Sequence, residues 1–80
     1  MPAQPKEDPL LDSFVAAVNA HNEANPRRRL SANRIAREIS GIAGHYVADV
    51  TIRSWLAKIR RPTAQYRTAL ETYVKRLGEG

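Results

Sequence analysis

Apolar residues return at helical spacing in four stretches of this chain, and no stretch alternates with the period of two that a strand requires. Leu11, Phe14, Val15 and Val18 fall at i, i+3, i+4 and i+7, which lays one apolar stripe along a first helix. Asp8-Pro9 predicts its start, because a carboxylate there accepts from free backbone N–H groups and proline suits the first turn. Asn25-Pro26 predicts its end, since a residue before proline avoids helical geometry. Leu30 then returns to the core, and Ser31 is placed to cap a short second helix with Ile35, Ala36 and Ile39 inward. Ser40-Gly41 reads as its stop, and Gly41 to Asp49 as a long turn. Asp49 or Thr51 caps a third helix, whose stripe of Ile52, Trp55, Leu56 and Ile59 runs on towards Arg61-Pro62. Thr63 caps a fourth, with Tyr66, Ala69, Leu70, Tyr73, Val74 and Leu77 inward and Gly78 as its stop. The expected fold is all-α, a compact bundle of four or five short helices. Residues 8–78 form its single domain, and residues 1–7 a disordered tail.

Eighty residues hold one small domain, and the absence of cysteine removes disulfides, thiolate zinc sites and cysteine nucleophiles together. No apolar run approaches the roughly 18 residues of a membrane span, and the polar, proline-rich Met1–Pro9 lacks the pattern of a secretory signal. A soluble cytoplasmic protein is expected. The net charge of +5 is unevenly spread. Residues 1–26 carry −3, whereas residues 27–61 carry nine basic side chains against Glu38 and Asp49, a balance of +7. Such a concentrated positive field attracts polyanions, nucleic acid first; on charge alone a merely solvated basic face is an equal reading.

The same middle stretch carries a resemblance. Ser31-Ala-Asn-Arg-Ile-Ala-Arg-Glu-Ile39, then Val47-Ala-Asp-Val-Thr-Ile-Arg-Ser-Trp-Leu56, then Arg60-Arg-Pro62, resembles the Cro/lambda-repressor-like helix-turn-helix family over residues 30–77. Ala36 matches the small residue that lets two motif helices cross closely. Ile52 and Trp55 match the inward pair of the second motif helix, and Arg61-Pro62 the basic-proline step that follows. One departure stands out: about six extra residues near Gly41 to Tyr46 exceed the usual turn of three or four. Either the turn is enlarged or the second helix is extended and bent by Gly41 and Gly44. The resemblance implies a sequence-specific double-stranded DNA-binding protein, a transcriptional repressor or regulator of bacterial or phage type. It would act as a homodimer on a palindromic operator and associate with the nucleoid.

Side-chain chemistry assigns roles within that expectation. Arg53 is the strongest base reader, because a guanidinium bonds guanine O6 and N7 together. Thr51 and Ser54 reach bases or phosphates, Val50 suits a thymine methyl, and Asp49 serves mainly as a helix cap. Arg27, Arg28, Arg29, Ser31, Asn33, Arg34, Lys58, Arg60 and Arg61 are the expected phosphate contacts. Trp55 belongs to the core stripe, and Tyr66 and Tyr73 are core or dimer contacts, with the fourth helix and Tyr73 the candidates for a dimer surface. His21 reads as a surface residue and His45 as part of the turn.

Neither histidine has metal-ligand spacing, and Gly41-x-x-Gly44 lacks the Lys-Ser/Thr of a phosphate loop, so no enzyme, metal, cofactor or small-molecule substrate is expected. RNA binding is disfavoured because the aromatics that would stack unpaired bases lie on core stripes. The competing reading is a small helical protein-interaction or assembly module that sets its basic face against an acidic partner.

Overall fold

A computed structural model describes residues 8–79; the expected disorder of residues 1–7 lies outside them. Four helices follow one another: α1 (Pro9–Ala24), α2 (Ala32–Ala43), α3 (Asp49–Leu56) and α4 (Ala64–Glu79). The fold is all-helical, with no strand among the described residues and no helix long and apolar enough to cross a membrane. α1 packs along α4, and α2 packs on both α3 and α4. Phe14, Ile35, Ile39, Ile52 and Leu70 fill the centre, so every helix contributes a fully buried side chain. Phe14 meets Trp55 edge-on at 6.2 Å between ring centroids and Tyr73 at 6.3 Å, which ties α1 to both α3 and α4.

Polar contacts fix the start of α1 and the return of the chain towards α2. Asp8 stands at the N-cap of α1, where its Oδ1 accepts from the Leu11 N–H at 3.3 Å. Both its oxygens also accept from Arg67, each at 2.9 Å, so one two-pronged pair joins the start of α1 to α4. The Arg67 guanidinium lowers the Asp8 carboxyl from 3.8 to about 2, against the opposing effect of burial, and Asp8 in turn raises Arg67. Between α1 and α2, the buried Asn22 accepts from the Leu30 N–H at 2.6 Å and draws the chain back to the core.

Several helix boundaries differ from those the spacing predicts. α2 runs three residues past Ser40, because the half-buried Ile42 and Ala43 pack against the core and continue its stripe. Gly44, with φ +80°, is the residue that closes the helix; a side chain there would be strained. The long turn therefore shrinks to Gly44–Ala48, with helix 2 extended. The Ser40 hydroxyl anchors it, donating to the Ala36 carbonyl at 2.7 Å and accepting from the Val47 N–H at 2.8 Å.

At α3 the N-cap is Ala48, with no side-chain cap bond, and Asp49 is the first helical residue instead of the cap. α3 also ends at Leu56, before Ile59, because Lys58 adopts the left-handed φ of 59°. The Lys58 N–H then bonds the Trp55 carbonyl and the Ile59 N–H the Ser54 carbonyl, both at 2.9 Å. Ile59 consequently leaves the inward stripe and is 75% exposed. Gly78 lies inside α4, which continues to Glu79, past the expected stop. Tyr73 is buried and donates to Glu38 at 2.8 Å, which makes it core and removes it from the candidates for a dimer surface.

Candidate nucleic-acid interface

α3 turns about 100° per residue, so burying Ile52 and Trp55 settles what faces outward. Val50 lies opposite that pair at the crown of the helix and is 64% exposed. Arg53 projects from one flank and Ser54 from the other. The Arg53 Nη2 lies 3.4 Å from Asp49 Oδ2 one turn back, with both side chains largely open to solvent. The Ser54 hydroxyl donates to the Val50 carbonyl at 3.0 Å, which commits its proton to the helix and leaves its oxygen to accept.

Val50, Thr51 and Ser54 line one side of an open cleft of about 570 Å³. Its other side is the chain after α3: Ile59, Arg60, Arg61, Thr63 and Tyr66. Trp55 reaches the cleft only at its edge, since it is 2% exposed and packs on Tyr66 at 5.4 Å between rings. The fold thus brings three of the four predicted base readers together with two of the predicted phosphate contacts. Arg53 stands apart on the far flank of α3. On that side Asp49 borders a smaller groove with Asn33 and Arg37 of α2 and with Tyr46.

The remaining predicted contacts have separate places. Ser31 caps α2, its Oγ accepting from the Arg34 N–H at 3.1 Å, and Arg34 Nε donates to Glu38 Oε2 at 3.2 Å. Glu38 is held from its other oxygen by Tyr73, whose hydroxyl burial and the Glu38 carboxylate keep protonated by pushing its pKa up. Arg27, Arg28 and Arg29 are exposed on the connection between α1 and α2, outside both depressions. Lys58 Nζ pairs with Asp12 of α1 at 2.9 Å and so is partly committed within the fold.

Charge pairing sharpens the surface. Glu38 and Asp49 are the acids of residues 27–61, and each contacts an arginine of its own helix. Arg27, Arg28, Arg29, Arg37, Arg60 and Arg61 make no ion pair among the described residues. Arg37, one turn after Asn33 and on its face, joins the candidate groups although spacing alone does not single it out. So does Tyr46, which is 81% exposed just ahead of α3. No group of three His, Asp or Glu side chains among the described residues comes together as a metal site. No protein-family model, curated protein or solved structure matches the chain.

Proposed function

We propose that this protein binds double-stranded DNA sequence-specifically, with α3 in the major groove, and acts as a transcriptional repressor or regulator. One observation carries the reading. The outward side of α3, bearing Val50, Thr51 and Ser54, shares a cleft with Arg60 and Arg61, so groups suited to base edges adjoin cations suited to phosphates. At about 1.5 Å per residue the eight residues of α3 span roughly 12 Å, enough to enter a groove end-on or along its floor. Arg53 adds a two-pronged donor on the opposite flank of α3, loosely tethered by Asp49. Ser31, Asn33 and Arg34 sit at the N-terminal end of α2, where backbone N–H groups and the helix dipole favour a phosphate. A short α3 covers only a few base pairs, so a homodimer reading two half-sites is part of the proposal.

The exposed Tyr46, Val50 and Ile59 are the specific observation that favours the second reading, a module docking on an acidic protein partner. Selection of bound duplexes from a random DNA pool separates the two. The DNA reading requires enrichment of a defined sequence, two-fold symmetric if the protein binds as a dimer. A pool that stays unenriched through successive rounds sinks it and leaves the protein-partner reading standing.

A further inference from the structure

Ile59 is an apolar side chain presented to solvent on a hydrogen-bonded loop. The two backbone bonds from Lys58 and Ile59 to the carbonyls of Trp55 and Ser54 close the end of α3, and the Lys58–Asp12 pair ties the loop to α1. An apolar residue at this point of a helix end commonly folds back onto an apolar residue of the last turn. Here the residue it would meet is Ser54, whose hydroxyl is already bonded to Val50, and Ile59 stays open. It lines the same cleft as Val50, with Lys58 before it and Arg60 and Arg61 after it in the chain. With Lys58 paired to Asp12, the loop offers an apolar contact followed directly by two unpaired cations, Arg60 and Arg61.

Resting on the DNA-binding reading, we propose that Ile59 and Val50 form a divided apolar subsite for the 5-methyl groups of thymine in the bound site. The chemistry of the groove selects that occupant. Among the base-edge groups of the major groove thymine's methyl is the apolar one, while phosphates line both rims. An apolar side chain that shares its cleft with Arg60 and Arg61 matches that combination better than it matches a wholly apolar partner. Arg60 and Arg61 hold the flanking phosphates while Ile59 and Val50 meet the methyls between them. Ile59 is thus a specificity-determining residue outside the reading helix.

Replacing thymine by deoxyuridine removes only the methyl and leaves the protein untouched. Wild-type protein, Ile59→Ala and Val50→Ala are titrated by fluorescence anisotropy against the selected duplex and against versions with one thymine at a time changed to deoxyuridine. At one or two positions the wild type should lose about four-fold in affinity for each methyl removed. Ile59→Ala should bind the unmodified duplex about four-fold more weakly or worse, and lose nothing further at one of those positions. Equal deoxyuridine losses in wild type and Ile59→Ala at every position overturn the inference while leaving DNA binding intact. So does a selected duplex indifferent to every methyl. Failure to select any duplex removes the DNA reading and this inference with it. Sedimentation of the free proteins covers the other occupant: a wild-type dimer that Ile59→Ala converts to monomer assigns Ile59 to a second copy of the chain, and the inference falls.

Discussion

Asp8 performs two tasks that substitution can separate. Asp8→Asn keeps an oxygen for the Leu11 N–H but removes the charge that faces Arg67, whereas Asp8→Ala removes both. Holding the carboxyl at about 2 instead of 3.8 corresponds to roughly 2 kcal/mol in favour of the charged, folded form. The Arg67 side chain is 40% exposed, and solvent screening reduces this to about 1–2 kcal/mol. The sign follows from the lowered pKa: the contribution is present above the ordinary carboxylate range and is lost as pH falls from about 4 through about 2. Urea unfolding at neutral pH should therefore find Asp8→Asn less stable by about 1–2 kcal/mol, and Asp8→Ala by about 1 kcal/mol more for the lost cap. In a domain of this size the first loss lowers the melting temperature by about 5–15 °C. The gap between wild type and Asp8→Asn should narrow as the pH is brought down towards 2. No gap at pH 7, or one that keeps its full size down to pH 2, would refute the pairing as the source.

Trp55→Ala should remove about 3–5 kcal/mol by emptying the space between Phe14 and Tyr66, and circular dichroism should find the domain largely unfolded. A folded variant lacking only DNA affinity would assign Trp55 to the binding surface. Lys58→Gly should melt above Lys58→Ala by the equivalent of about 1 kcal/mol, since both lose the Asp12 pair and only glycine relieves the left-handed backbone. Equal melting temperatures would contradict that conformation. Arg60→Ala should flatten the slope of log K against log salt by about 0.9 on any duplex, and an unchanged slope would take Arg60 off the phosphate.

The four stripes were legible because core-facing residues must recur at helical spacing, and the start of α1 because Asp8-Pro9 states its capping chemistry locally. The ends of α2 and α3 were not. Gly41 sits on an exposed face, where a helix tolerates it, so the true stop is the second glycine, Gly44. At α3 the left-handed closing residue is a lysine, and the spacing of Ile52, Trp55, Leu56 and Ile59 imitates a longer helix. That same break exposes Ile59 and sets it, Arg60 and Arg61 on the cleft that Val50 also lines. The basic stretch and the outward residues of α3 were readable from charge and periodicity. Tyr73–Glu38 and Asp8–Arg67 were not, because pairs 35 and 59 residues apart depend on how the helices pack. The small groove that adds Arg37 and Tyr46 likewise exists only once α2 and α3 are set side by side.

On the proposed function, the surface around α3 distinguishes one DNA sequence from another. The most direct test is the ratio of dissociation constants for the selected duplex and a scrambled duplex of equal composition, measured in the same buffer at physiological salt. Sequence-specific binding predicts a ratio of at least about 10³ in favour of the selected duplex. A ratio near one, with both affinities collapsing together as salt rises, would contradict it and reduce the surface to a general polyanion binder.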